Sequence, residues 1–224
     1  MRWFKSLLTR VGHYCSSKTI HRLNAALNYL ETGRWMRAQG HDTRRRFQGR
    51  KELFADVSRP IKDERVLYLE FGVHRGASIA RWARILSNPE ARLSGFDSFE
   101  GLPEDWVLGN PKGQFSTGGN TPDIDDPRVE FVVGWFEDTL PTYTPPPHDR
   151  LVLHLDADLY SSTILVLNAL DQYIVPGTFI FFDEFSDRLH ELRAFDEYIK
   201  RTGAKFRLLG VDKALVHVGF ERIE

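Results

Sequence analysis

The 224-residue chain, 25.9 kDa and 42% hydrophobic, is long enough to bury one sizeable core. Lys+Arg 30 against Asp+Glu 31 leaves a net charge of −1, which argues against a nucleic-acid binder or an acidic tail. The single Cys15 excludes an intrachain disulfide, and the Cys and His spacing excludes a zinc finger, so a reducing, cytoplasmic setting is expected.

The chain opens on MRWFKSLLTRVGHY, whose apolar runs are broken by Lys5 and Arg10. It predicts neither a signal-peptide core nor a membrane span, and no stable membrane insertion. Residues 1–62 hold 14 Lys/Arg against 4 Asp/Glu, net +10, while residues 63–224 hold 16 against 27, net −11. Ile20, Leu23, Leu27 and Leu30 recur at spacings of three and four, which predicts a helix stopping near Gly33. Residues 1–62 therefore read as a basic helical extension of a domain spanning 63–224. Its first reading is packing on the acidic body or on a second subunit. Contact with a membrane surface or an anionic polymer, suggested by Arg44-Arg45-Arg46, is the second.

From Val66 onward short apolar runs alternate with helical stretches, the pattern of an α/β protein. Strands are predicted at 66–71, 93–96, 129–133, 151–155, 178–182, 206–209 and 215–219, with helices at 79–86, 162–173 and 189–201. The expected fold is a mostly parallel, seven-stranded sheet with helices on both faces. The runs 151–155 and 178–182 are almost uniformly apolar, as central strands covered on both faces should be. Residues 103–128, rich in Gly, Pro, Asn and Asp, predict a lid or binding loop. Its Trp106 and Phe115 are candidates to stack on a ligand, whereas Phe179, Phe181, Phe182 and Phe185 read mainly as core.

Ligands of such sheets bind beyond the carboxyl ends of the strands, so the residues after each strand belong together. Gly72 and Gly76 follow the first strand and allow either a tight packing turn or close backbone approach to a ligand, and the helix near Ser78 offers free N–H groups. His74 takes the second glycine place of a dinucleotide fingerprint, which lowers a nicotinamide reading. Asp97, ending the second strand, suits either the two hydroxyls of a ribose or the capping of a turn. Asp156 and Asp158 follow one central strand, and Asp183 and Glu184 another. If those strands are neighbours, the carboxylates converge, and like charges that close call for raised pKa values or a hard cation such as Mg²⁺. His154 shares a strand face with Asp156.

Several ordered blocks then carry a specific resemblance: Glu70-x-Gly72-x-x-x-Gly76, Asp97-Ser98-Phe99-Glu100-Gly101-Leu102-Pro103, Gly134-Trp135-Phe136-Glu137-Asp138-Thr139-Leu140-Pro141, and Asp156-x-Asp158-x-Tyr160-x-Ser162-Thr163 with Asp183-Glu184. Over roughly residues 65–210 the chain resembles the macrocin/mycinamicin sugar O-methyltransferases, which are class I, Rossmann-like, S-adenosylmethionine-dependent enzymes using magnesium. The resemblance implies that Glu70, Gly72 and Gly76 surround the methionine and ribose of the cofactor, that Asp97 and Ser98 meet the ribose or adenine edge, and that Trp135 and Phe136 flank the adenine. His74 and Ser78 complete this expected cofactor set. The resemblance also implies a sugar or glycoside hydroxyl as substrate and an oligomer, most simply a homodimer. Two positions depart from the pattern: His74 stands where an aromatic is usual, and Glu184 replaces a second Asp.

Asp156, Asp183 and Glu184 are the expected Mg²⁺ ligands and Asp158 the general base, with His154 as the alternative base. Two rival readings remain at this point. Leu155-Asp156-Ala157-Asp158 also resembles the D-x-D element of metal-dependent glycosyltransferases, and a binding module without catalysis would keep the same cofactor loop.

Overall fold

In the computed structural model, which describes residues 1–107 and 109–224, eight strands form one sheet. They are β1 (Arg46–Phe47), β2 (Val66–Phe71), β3 (Arg92–Asp97), β4 (Val129–Val133), β5 (Arg150–Leu155), β6 (Phe179–Phe182), β7 (Phe206–Asp212) and β8 (Val218–Arg222). Their order across the sheet is β1-β7-β8-β6-β5-β2-β3-β4. Only β8 runs antiparallel to its neighbours, β6 and β7. The sheet is thus mostly parallel, as expected, but has eight strands rather than seven. The additional strand comes from the basic extension, where Arg46 and Phe47 pair with Val211 and Asp212 on the edge of β7. Two residues carry no periodicity for a sequence pattern to detect. The last strand begins at Val218 rather than 215. The Asp212 carboxylate accepts the N–H groups of Ala214 and Val216 and holds a tight turn, in which Leu215 takes a φ of 59°.

Seven α-helices complete the fold: α1 (Arg2–Gly12), α2 (Ser17–Ala38), α3 (Arg50–Val57), α4 (Ala77–Ile85), α5 (Phe136–Thr139), α6 (Tyr160–Ala169) and α7 (Glu191–Thr202). Successive strand residues face opposite sides, so each central strand feeds two cores. Leu67, Leu69, Phe71, Leu151, Leu153, Leu155, Ile180 and Phe182 pack beneath α6 and α7. Tyr68, Val152, Phe179 and Phe181 pack against α3 and α4, where Phe54 and Trp82 are fully buried.

The extension behaves as two halves. Helix α2 passes through Gly33 and ends at Ala38, because burial of Trp35 and Met36 beyond the glycine outweighs its roughly 1 kcal/mol helix penalty. Trp35 Nε1 also donates to Asp196 Oδ1 on α7, at 2.8 Å. Leu53, Phe54, Val57 and Ile61 then enter the core under β2. No residue of α1, by contrast, is buried. Packing on the acidic body, expected for the extension, holds for its rear half and not for its front.

Candidate active site

The carboxyl ends of β2 to β6 open into one cavity of about 520 Å³. One wall is built by the loops after β2, β3 and β4, which contribute Gly72, His74, Asp97, Ser98, Trp135 and Phe136. Gly72 has a φ of 92°, and a Cβ there would lie 1.8 Å from the Asp156 carbonyl oxygen, so it lets the β2 loop cross the β5 loop. Gly76 is likewise a packing glycine: its Cβ would meet Pro122 at 2.9 Å. Neither Gly76 nor the buried Ser78 is among the cavity-lining residues.

Asp97 caps the turn, one of the two roles its sequence position suggests, and also faces the cavity. It lines the cavity, yet its Oδ2 accepts the N–H groups of Val73 and His74, both at 2.8 Å, and its Oδ1 accepts that of Phe99 at 2.7 Å. The carboxylate therefore ties the β2 loop to the β3 end, leaving one acceptor site on Oδ1. Between β3 and β4 the chain has no regular structure among the described residues, as expected of a long loop; Leu108 lies outside them. The loop bonds to itself through Leu102, Gly113 and Gln114 and crosses the cavity mouth, where Glu104 accepts from Ser161 Oγ at 2.6 Å. Trp106 and Phe115 line the cavity, and Phe115 meets His74 edge to face at 6.0 Å.

The opposite wall is acidic. Strands β5 and β6 are neighbours, with Leu155 opposite Phe182, and so bring Asp156, Asp158, Asp183 and Glu184 to one side of the cavity. Asp158 takes a φ of 59°, a left-handed conformation that Asp tolerates better than most residues and that concentrates at functional sites. Burial, reinforced by the charges of Glu184 and Asp183, pushes the Asp158 carboxyl up to about 7. Glu184 also rises to about 7, through burial and the Asp183 charge. Asp156 is raised well above the usual range by burial and by Asp183. For Asp183 burial acts upward but is outweighed by His154, Arg50 and His217, so it is held low and ionised.

Those three partners are the part of the site that sequence reasoning missed or placed differently. Arg50, the first residue of α3, places Nη1 2.8 Å from Asp183 Oδ1 and 3.4 Å from Asp156 Oδ2. His217 Nε2 approaches Asp183 Oδ1 at 3.3 Å while its Nδ1 stands 2.8 Å from Asp212 Oδ2. His154 is fully buried and does not line the cavity. Its Nδ1 stands 2.9 Å from the Tyr68 hydroxyl and 3.4 Å from Glu70 Oε2, and its Nε2 is 3.8 Å from Asp183 Oδ1. Burial would depress this imidazole, but the Asp183 and Glu70 carboxylates prevail and raise it to about 10. His154 thus lies beneath Asp183, between that carboxylate and the Tyr68–Glu70 pair, and away from the cavity lining. Glu70, buried and bonded to Tyr68, likewise stands away from the cavity lining. Behind Glu184, the fully buried Glu191 accepts the Glu184 N–H at 2.9 Å.

A hard divalent cation suits the donor set of this wall. Potential ligand atoms of His154, Asp156 and Asp183 lie within 4.8 Å of one another, and Glu184 adds an oxygen donor to the same cavity without belonging to that group. The carboxylates of this wall are hard oxygen donors, and their mutual repulsion is what a cation relieves.

An open sheet of this order, with one antiparallel strand and a cavity beside the point where β2 meets β3 and β5, defines a class I methyltransferase fold. It resembles the calicheamicin methyltransferase CalS11 (TM-score 0.60, 22% identity, 77% of this chain and 79% of that one). It also resembles the O-methyltransferase NovP (TM-score 0.58, 26% identity, 79% and 81%). The chain belongs to the macrocin-O-methyltransferase (TylF) family, which it matches over residues 107–218, half of its length. Among its relatives are 8-demethyl-8-(2,3-dimethoxy-alpha-L-rhamnosyl)-tetracenomycin-C 4'-O-methyltransferase of Streptomyces olivaceus, 32% identical over 151 residues, and demethyldecarbamoylnovobiocin O-methyltransferase of Streptomyces niveus, 30% identical over 166. The matches cover 56% and 65% of this chain, and 57% and 62% of the respective relatives.

Proposed function

We propose that this protein is an S-adenosylmethionine-dependent O-methyltransferase that methylates a hydroxyl of a sugar or glycoside with the help of Mg²⁺. The observation that carries the reading is the division of one cavity into an aromatic wall with backbone-braced Asp97 and a wall of four carboxylates. Family membership supports methyl transfer, and the relative named for rhamnosyl tetracenomycin supports a glycoside acceptor. Bound against Trp135, Phe136 and Asp97, the cofactor would supply a methyl group activated by its sulfonium. Held by Asp156, Asp183 and Glu184, Mg²⁺ would supply a Lewis acid that makes a sugar hydroxyl more acidic.

The chain's own residues do the rest. Asp158, on the acidic wall of the cavity, accepts the hydroxyl proton as the oxygen bonds to the methyl carbon and the carbon–sulfur bond breaks, which would leave S-adenosylhomocysteine as the neutral leaving group. His154, itself held by Glu70 and Tyr68, keeps Asp183 ionised from below, together with Arg50 and His217. Trp106 and Phe115, with Glu104 latched to Ser161, close the mouth and exclude water.

The test is transfer of labelled methyl from S-adenosylmethionine to a panel of sugars and glycosides. Chelator is expected to abolish transfer and added Mg²⁺ to restore it, while calorimetry still detects S-adenosylhomocysteine binding in chelator. Undiminished transfer after exhaustive metal removal would eliminate the metal from the mechanism. Binding of nucleotide sugars without S-adenosylhomocysteine would instead favour the D-x-D glycosyltransferase reading.

A further inference from the structure

The front of the extension presents a surface that the methyltransferase site does not use. On α1, Trp3, Phe4, Leu7, Leu8 and Val11 follow helical spacing, and all are between 46% and 71% exposed. Arg2, Lys5, Ser6, Thr9, Arg10 and Gly12 take the other positions, so the helix is apolar along one stripe and basic along its flank. Helix α2 continues the apolar exposure with Ile20, Leu23, Leu27 and Leu30. Residues 1–30 contain five Lys/Arg and no Asp or Glu. Among the described residues no ion pair joins any of these basic side chains to the acidic body, although that body carries the opposite charge.

We propose that α1, with the adjoining apolar face of α2, lies in the plane of an anionic lipid surface. Charge complementarity favours this occupant over face-to-face pairing of two such helices. A symmetric pairing of two such faces would set Arg2, Lys5 and Arg10 beside their equivalents, with no carboxylate in the first 30 residues to offset them. A lipid surface places anionic headgroups level with an apolar layer, which matches a helix whose basic residues flank Trp, Phe and Leu. Among the described residues no helix is long and apolar enough to cross a membrane. Eleven residues span only about 16 Å, half a hydrocarbon core, so the helix lies on the surface.

Sedimentation of the full chain with vesicles tests this. Binding to phosphatidylcholine vesicles containing phosphatidylglycerol should exceed binding to pure phosphatidylcholine by at least about tenfold and weaken as salt rises. Leu7→Ser with Leu8→Ser keeps every charge and should reduce vesicle binding about tenfold or more. Lys5→Gln with Arg10→Gln should remove the preference for anionic lipid. S-adenosylhomocysteine affinity should stay unchanged in both variants, which certifies the fold. Equal sedimentation of the parent chain and the Leu7/Leu8 variant would overturn the proposal. So would absence of vesicle binding together with a stable oligomer that this variant dissociates, which would assign the face to a second copy.

Discussion

The two walls of the cavity are built by opposite strategies. On the aromatic wall the key carboxylate is largely satisfied before any ligand arrives: Asp97 already accepts three backbone N–H groups, and Gly72 lies tight against the Asp156 carbonyl. On the acidic wall satisfaction is incomplete. Asp158, Asp156 and Glu184 sit with raised pKa values, and only Asp183 is fully countered. A wall whose bonds are complete orients a ligand, whereas one left with unbalanced charge draws in a cation or a proton and stores the means to do chemistry.

The sharpest way to break this comparison is at Asp158. Asp158→Asn preserves size and tolerance of the left-handed backbone but removes basicity, so turnover should fall roughly 10²–10⁴-fold with S-adenosylhomocysteine affinity nearly unchanged. In the parent chain turnover should rise with pH as this carboxyl ionises, and the variant should lose that limb. A variant with near-normal turnover would mean that the acidic wall does not supply the base.

The converse substitution is Asp97→Ala, which should weaken S-adenosylhomocysteine about tenfold or more by removing charge-assisted hydrogen bonds worth about 1.5–3 kcal/mol each. Because Asp97 also holds the Val73 and His74 amides, hydrogen exchange at those two amides should accelerate. Faster exchange with unaltered affinity would reduce Asp97 to a brace.

A smaller effect concerns stability. The raised carboxyls of Asp158 and Glu184 and the raised His154 all bind protons more tightly in the native state than in the unfolded chain. For the carboxyls this stabilisation is present below about pH 4 and is lost as pH climbs through about 7; for His154 it is lost between about 6.5 and 10. Melting temperature should therefore decline from pH 6 to pH 8.5, by roughly 3 °C or more, and Mg²⁺ should restore part of the loss. Calorimetric scans in which melting temperature climbs over that interval would contradict the assignment of charge to this wall.

The sheet and the acidic wall were legible because their signals are local. Residues 151–155 and 178–182 are apolar runs, and the acids that follow them are adjacent in sequence, so one correct inference, that the strands pair, brings the carboxylates together. Arg50 was invisible for the opposite reason. Its partners Asp156 and Asp183 lie 106 and 133 residues away, and nothing near Arg50 distinguishes it from other arginines of a basic segment. Glu70 and His154 stand on the strand face turned toward Tyr68 and Phe54, and sequence cannot tell a carboxylate at the rim from one half a turn of the pleat below it.

Where α3 begins has a practical consequence for anyone shortening this chain. A catalytic core cut at the first strong strand would discard the guanidinium beside Asp183, two aromatic anchors and the edge strand over β7 in a single stroke. Such a fragment would present an unpaired strand edge and a carboxylate stripped of its arginine together, which predicts aggregation before inactivity. Deleting residues only as far as α1 spares all three, so the dispensable and indispensable parts of the extension meet inside α2, between Leu30 and Trp35.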